Sequence, residues 1–399
     1  MAQQFPAPVA EAIRLLHRAG HEAFAVGGCV RDLLLGQEPH DWDITTSANP
    51  ADIQAVFRDY RTIPTGVQHG TVTVLIDRMP LEITTYRVDG TYSDNRRPDA
   101  VRFAEHLSDD LSRRDFTINA MALSDNGTVI DEFGGRADLE QRLIRCVGDP
   151  GTRFAEDALR ILRALRFAAV LDFTLDGPTA EAVHRSRERL QNVSAERMTV
   201  ELVKLLCGPG VTDILISFDD VFRVILPELT IDETTARAVG RTVPVPVLRL
   251  AQLLRNTGDR AGKALDHLRL PAKTRETVEA LVQHQDVPLA ADRKTLTHLL
   301  NRFGPDLLRL LIALQDTDGS TGPIRTALDA LLKERPAYRI RDLAVSGTDL
   351  MALGFDGPAV GRTLQDLLER VMDETLPNEK DVLLQAAGEK GPLHGPEKD

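Results

Sequence analysis

Only three cysteines, one tryptophan and four tyrosines occur in 399 residues. Cys29, Cys146 and Cys207 form no close pair and, with the histidines, no zinc-type spacing. That excludes a disulfide-stapled secreted scaffold and leaves three reduced thiols. No stretch approaches the ~18 uninterrupted apolar residues of a membrane span. The first twenty residues lack a basic start followed by an apolar core, so no secretory signal is expected and the expected location is cytoplasmic. Positive charge is also scarce: 48 Lys and Arg face 60 Asp and Glu, a net charge of −12. A uniformly basic nucleic-acid binder is excluded, and a nucleic-acid partner would need a local basic patch on an acidic body. What remains, 42% hydrophobic and 27% charged, is an ordinary globular composition, long enough for about two to four subdomains.

The first 150 residues read as mixed α/β. A helix is predicted from Pro8 to Arg18, then a strand over 21–26 broken by Gly27 and Gly28, and a helix over 29–36 closed by Gly36. Residues 42–46 read as a strand, Asn49-Pro50 opens the next helix, and 71–76 with 81–87 alternate as a hairpin around Asp77–Pro80. From about residue 151 onward the periodicity is helical almost throughout. The predicted fold is α+β. The expected domains are a head over 1–150, a helical neck over 151–206, a helical body over 207–287 and a helical tail over 288–387. Residues 388–399, rich in Gly, Pro and charge, read as disordered.

The segment of greatest chemical weight is Gly27 to Gly36, followed by Asp41-Trp42-Asp43. Two glycines at a strand-to-helix turn let backbone approach a phosphate, and Arg31 in the first helical turn adds a charged fork. Asp41 and Asp43, two residues apart on an expected strand, point to one face and repel unless a cation lies between them. A third carboxylate, Glu82, begins a later strand. Oxygen ligands suit Mg²⁺, and three acids beside a phosphate-cradling turn fit two-metal catalysis. The plainer alternative, a solvated acidic loop, would suffice for Asp41 and Asp43 taken alone.

The runs Gly27–Asp32, Asp41–Asp43 and Arg113–Ala122 together resemble class II tRNA nucleotidyltransferases, the CCA-adding enzymes and their bacterial poly(A) polymerase relatives. The resemblance spans about residues 22–206. It implies a polymerase-β-like nucleotidyltransferase head with a mixed sheet, followed by an elongated all-α neck, body and tail. It also implies that Asp41 and Asp43 bind metal, that Glu82 is the third carboxylate, and that Gly28 and Arg31 contact nucleotide.

Arg114 can neutralise a triphosphate, while Asp115 and Asn119 can hydrogen-bond a ribose hydroxyl. A helix-capping Asp115 beside two solvated arginines is an equal reading of those residues alone. Over 156–167, stepping about 100° per residue puts Ala158, Ile161, Leu162, Leu165 and Ala169 on one apolar arc. Glu156, Asp157, Arg160, Arg163 and Arg166 then cover the other half; a surface helix laced by Glu156–Arg160 pairs is the alternative. Cytosine and adenine both offer an amino donor beside a ring-nitrogen acceptor, and an Asp acceptor next to an Arg donor matches them. Asp157 and Arg160, one turn apart, are therefore the expected base-reading pair, with no nucleic-acid template needed. The resemblance implies the same pair, with Arg163 and Arg166 also on the nucleotide; on a continuous helix Arg166 would lie near phosphate.

The polar segment 89–101 looks like the family loop that helps switch from C to A addition. Ser194 is the expected N-cap of an amphipathic helix reaching 206. Beyond it the chain resembles a tRNA-holding scaffold, with Lys263, Lys273, Arg275, Arg293, Lys294 and Arg302 as candidate phosphate contacts. Asp266 precedes His267, Gln285 separates His284 from Asp286, and Leu299 follows His298. No His-Asp pair of the phosphohydrolase type appears in this half, and no attached phosphatase domain is expected. The expected activity is addition of CCA to the tRNA 3′ end from CTP and ATP with two Mg²⁺ ions. An A-adding, CC-adding or poly(A)-forming relative, and an inactive RNA-binding protein, are the alternatives. No membrane or protein partner is implied, and a homodimer is left open.

Overall fold

The computed structural model describes residues 5–89, 101–316 and 318–390. The loop expected over 89–101 lies, apart from its two ends, outside the described residues, as does 391–399 of the expected disordered tail. The first three residues of that tail instead continue a helix, Lys380–Lys390.

The chain divides into two compact units: residues 1–240 with 256–271, and 241–255 with 272 onward. The first unit opens with helix α1 (Ala7–Arg18), which buries Val9, Ala12, Ile13 and Leu16, the i, i+3, i+4, i+7 stripe that seats a helix on a core. Strands β1 (Ala23–Val26), β2 (Asp43–Thr46), β3 (Arg61–Gly66), β4 (Thr71–Ile76), β5 (Met79–Thr85), β8 (Ala122–Leu123) and β9 (Val129–Ile130) form one seven-stranded sheet. Its order is β3-β4-β5-β2-β1-β8-β9. Only β2 and β5 run parallel; the other neighbours are antiparallel. The short pair β6 (Arg87–Asp89) and β7 (Val101–Phe103) stands apart from the sheet.

Punctuation in the sequence sets most of these boundaries. Gly27, at φ +83°, ends β1 and begins helix α2 (Gly28–Leu34). Asn49 accepts hydrogen bonds from the N–H groups of Ala51 and Asp52, and Pro50 supplies the first residue of helix α3 (Pro50–Val56); both features favour helix initiation. The β4–β5 hairpin is tighter than the four-residue turn expected, since Met79 already pairs with Ile76. Asp77 (φ +48°) and Arg78 (φ +68°) both take left-handed backbone, the conformation that matches strand twist in two-residue hairpins.

Helix α4 (Leu107–Ser112) packs on the sheet, burying Leu107 and Leu111 with Val26, Tyr86 and Ala122, and α5 (Gly135–Glu140) lies against the Thr117–Asn119 turn. Helices α6 (Pro150–Glu156), α7 (Leu159–Leu171), α8 (Gly177–Ser186) and α9 (Ala195–Leu206) follow. Ser194 stands at the N-cap of α9 as expected, but its side chain makes no capping bond. The apolar arc expected for α7 is present: Ala158, Ile161, Leu162, Leu165 and Ala169 are all fully buried. Residues 211–225, 233–240 and 261–268 complete this unit with further helices.

The second unit is helical among its described residues. One apolar cluster gathers Leu296, Leu299, Leu300, Leu308, Ile312, Leu328 and Leu331, and another Leu350, Leu364, Leu367, Leu368, Met372 and Leu383. The helix Arg293–Gln315 is interrupted at Gly304 (φ +71°), immediately before Pro305, where the proline has no N–H to continue the ladder.

Packing of α9 on α7 is close enough to demand glycine. A Cβ on Gly208 would lie 2.4 Å from the carbonyl carbon and oxygen of Ala169. Gly208→Ala is expected to cost roughly 1–3 kcal/mol, the usual range for overpacking. Calorimetry should show a clear drop in the melting temperature of this unit; a variant melting with the wild type would show that the helices separate at no cost.

Candidate active site

The parallel pairing of β2 with β5 sets Asp43 directly beside Glu82. In-register neighbours on adjacent strands project to the same face, on strands about 4.8 Å apart. The alternation of β5 buries Leu81 and Ile83 and leaves Glu82 outward. Asp41 departs from expectation: β2 begins at Asp43, so Asp41 sits in a bend ahead of the strand, beyond the buried Trp42. Trp42 is fixed by an edge contact with Phe5, ring centres 5.7 Å apart.

The three acids nevertheless feel one another. The pKa of Asp43 is raised to about 6. Its side chain reaches solvent, yet the structure packed around the strand end withholds water, which is the largest cause. The positive charge of Arg114 pulls the other way, and the negative charges of Glu82 and Asp41 push further up. Among the described residues, no three carboxylate, imidazole or thiol groups already surround one point as a closed metal cage. Mg²⁺ does not ask for one, since it retains several waters and binds through one or two carboxylates. Mutually repelling carboxylates, one with raised proton affinity, fit a divalent cation.

Gly27 forms the floor beside these acids. A Cβ there would meet Arg114 Nη1 at 2.9 Å and Asp43 Oδ2 at 4.0 Å. The absent side chain therefore lets Arg114 lie across the turn next to Asp43. Arg114 Nε is buried and has no hydrogen-bond partner among the described residues.

A network of arginines and carboxylates continues from this floor. Arg31 donates to Asn119 Oδ1 (2.8 Å), and Asn119 Nδ2 donates to Asp115 Oδ1 (3.2 Å). Arg163 donates through Nε and Nη2 to Asp115 Oδ2 (2.9 and 2.7 Å). Burial pushes the Asp115 carboxyl up, but the charges of Arg163 and Arg160 outweigh it and hold it at about 2. Both Asp115 oxygens and both amide groups of Asn119 are thus partnered within the protein. A ribose hydroxyl would have to share or displace these bonds. Arg31, Arg163 and Arg166 all lie over Phe167, with guanidinium-to-ring distances of 5.1, 5.5 and 3.6 Å. The three guanidiniums share one ring, and each is also paired with a carboxylate: Arg31 with Asp32, Arg163 with Asp115 and Arg166 with Glu201.

The base-reading pair is arranged differently from the single helix expected over 156–167. Helix α6 ends at Glu156, Asp157 is extended (φ −137°, ψ 105°), and α7 begins at Leu159. Asp157 and Arg160 are therefore not one turn apart on a continuous helix, and the rotation argued for Arg166 from Asp157 does not apply. Asp157 Oδ1 instead accepts from the N–H of Leu159 (3.0 Å) and Oδ2 from Arg197 (2.8 Å). Arg160 donates to Glu156 Oε2 (2.6 Å) and to the carbonyl of Arg113 (3.1 Å). Arg166 donates to Glu201 Oε2 (2.6 Å). Both residues remain at the α6–α7 junction, beside the Arg113–Asn119 stretch. The Arg160–Glu156 pair is the one the alternative reading of 156–167 expected; three residues were not anticipated: Asp110, which pairs with Arg113 and Arg114, Arg197 and Glu201. Arg197 and Glu201 are spaced i, i+4 on α9, the spacing of one helix face.

The cations picked from the helical half are mostly engaged. Arg275 pairs with Glu279, Arg293 with Glu334 and Glu374, and Lys294 with Asp373, while Arg302 lies over Phe303. No pairing of the cysteines forms. Burial pushes the Cys29 thiol up to about 11 and Cys146 to about 12, which leaves them unreactive near neutral pH.

Asp43 makes a checkable statement about stability. Its folded pKa, about 6, lies above the unfolded value of 3.8, so the folded state loses stability as pH rises through that interval. Asp43→Asn removes this cost. In chelator at about pH 7.5 the variant is expected to melt above the wild type, with the gap closing towards about pH 4. A lower melting temperature for the variant at the higher pH would contradict the electrostatic picture of the acid cluster.

Comparison with known proteins places this geometry. Residues 23–145 match the poly A polymerase head domain, 172–232 the probable RNA and SrmB-binding site of polymerase A, and 247–387 a tRNA nucleotidyltransferase domain 2. A CCA-adding enzyme of Levilactobacillus brevis is 39% identical over 387 residues, covering 94% of this chain and 95% of its own. A CCA-adding enzyme of Limosilactobacillus reuteri is 49% identical over 209 residues, about half of each chain. The crystal structure of the Bacillus stearothermophilus CCA-adding enzyme in complex with CTP superposes with a TM-score of 0.84 at 32% identity, over 97% of this chain and 98% of that one. Similarity at this level along nearly the whole length of both chains makes this protein a member of the CCA-adding enzyme family.

Proposed function

We propose that this chain rebuilds the tRNA 3′ end by adding C, C and A in turn from CTP and ATP, releasing pyrophosphate, in the cytoplasm. The observation that carries the reading is Asp43 held in register with Glu82 beside the Gly27–Arg114 floor. Relatives that align along their whole length are CCA-adding enzymes, and one solved relative holds CTP. Another, 27% identical over 81% of this chain with a TM-score of 0.65, holds a primer tRNA and an incoming ATP analogue.

Asp41 and Asp43, with Glu82 as the third carboxylate, would hold two Mg²⁺ ions, which when bound supply Lewis-acid activation of the attacking hydroxyl and neutralise the leaving pyrophosphate. The chain's own residues bind and orient the nucleotide. Gly27 and Gly28 admit phosphate close to backbone, and Arg114, with Arg31, Arg163 and Arg166 around Phe167, faces the triphosphate with positive charge. Asp115 holds Arg163 and Asn119 holds Arg31, and this pair is the one offered to the ribose. Asp157 and Arg160 form the acceptor–donor pair for the amino group and ring nitrogen shared by cytosine and adenine. Uracil and guanine present the reverse order and offer neither protein group its complement. Selection by unmade bonds of this kind can reach about 10⁴-fold, without a nucleic-acid template.

Incubating the protein with tRNA lacking its last one, two or three nucleotides, with CTP and ATP supplied separately, tests the order of addition. Growth of CC-ended tRNA by A alone, with no C added to shorter ends, would replace the full CCA reading with an A-adding one. Asp41→Ala is expected to cut incorporation by at least ~10³-fold, the scale of losing a catalytic metal or an equivalent charge, with little change in melting temperature. Normal turnover would refute the metal assignment. For Arg160→Ala, discrimination between CTP and UTP should fall from about 10⁴ towards about 10²; unchanged selectivity in competition assays would remove Arg160 from base reading.

A further inference from the structure

We propose that Asp110, which touches no substrate, is the positioning residue that aims Arg114 at the nucleotide triphosphate and ties that arginine to the metal-site strand. Asp110 lies on α4, one of its carboxylate oxygens facing each of two structures. Its Oδ1 accepts from Nε and Nη2 of Arg113 (2.9 and 2.7 Å). Its Oδ2 accepts from Nη2 of Arg114 (3.3 Å) and from the hydroxyl of Thr45 (3.1 Å). Thr45 is on β2, two residues beyond Asp43. The carboxylate is completely buried. Burial works to raise its pKa, yet Arg113 and Arg114 hold it below the ordinary value, so it remains an anion.

A buried carboxylate without such partners would be strongly unfavourable, and here four donors surround it. The arrangement has a directional consequence. One Arg114 nitrogen, Nη2, is fixed by Asp110 from below, while Nη1 lies against the Gly27 floor and Nε is left without a partner. The guanidinium is anchored at one corner, and its unused donors lie along the site. Asp110 also holds Arg113, whose carbonyl accepts from Arg160. One residue thereby connects the strand bearing Asp43, the triphosphate arginine and the backbone behind the base-reading arginine. The short sequence spacing of Asp110 to Arg113 and Arg114 resembles a surface helix pair, but complete burial and the contact with Thr45 separate it from one.

This inference rests on Arg114 being a triphosphate ligand, and the experiment separates the two claims. Binding of CTP and CMP is measured calorimetrically in Mg²⁺ for the wild type, Asp110→Asn, Arg114→Ala and the double variant. Loss of aim at one charge-assisted contact is expected to weaken CTP about tenfold in Asp110→Asn and leave CMP unchanged. In the Arg114→Ala background, Asp110→Asn should then add nothing. Equal weakening of CTP and CMP, a full additional effect in the double variant, or wild-type CTP binding by Asp110→Asn would each overturn the proposal. If Arg114→Ala itself binds CTP normally, the triphosphate reading of Arg114 fails instead. Should Asp110→Asn not fold, Thr45→Val keeps the charge and removes one contact. It is expected to show the same CTP-selective loss at about threefold, and a loss shared with CMP would overturn the proposal through that variant.

Discussion

The parallel register of β2 on β5 is the constraint from which the site follows. It puts Asp43 beside Glu82, and because side chains alternate between sheet faces, a one-residue slip would turn Glu82 inward and Leu81 outward. The burial of Leu81, Ile83, Ile44 and Thr45 resists that slip. The acids repel one another, and the positive charge of Arg114 partly relieves Asp43. Packing of apolar side chains therefore holds an electrostatically unfavourable cluster in place, and on the proposed reading that unfavourable term is what would favour divalent cations there.

Around this cluster the protein uses charge in two ways. Buried carboxylates, Asp110, Asp115 and Glu201, each orient arginines: Asp110 takes Arg113 and Arg114, Asp115 takes Arg163, and Glu201 takes Arg166. Of these arginines, Arg114 lies next to Asp43 across the Gly27 turn. In a chain with net charge −12, positive charge is thus placed by local pairing rather than by overall composition.

Much of the fold was legible in the sequence, for identifiable reasons. Gly27, Gly36, Asn49 and Pro50 each demand a particular backbone, so β1, α2 and α3 could be bounded to within a few residues. Alternating β-branched residues announced the β4–β5 hairpin with Glu82 on its open face, while the strand position expected for Asp41 was not met because β2 begins at Asp43. The break at Asp157 was not legible. No glycine or proline marks it; Asp157 accepts from the N–H of Leu159 through one oxygen and pairs through the other with Arg197, 40 residues later. Asp110, Arg197 and Glu201 escaped notice for a related reason. Their spacings to nearby charges are those of ordinary solvated helices, and only tertiary burial distinguishes them.

The floor at Gly27 has a consequence for how such a protein can change over time. On the proposed reading, a surface made of peptide backbone and one anchored guanidinium would recognise phosphate geometry, and base identity would be judged elsewhere, at the α6–α7 junction. The two tasks would then sit on separate stretches of chain, so the letter-choosing stretch would be free to drift towards a new preference while the anchoring of the triphosphate tail stayed intact.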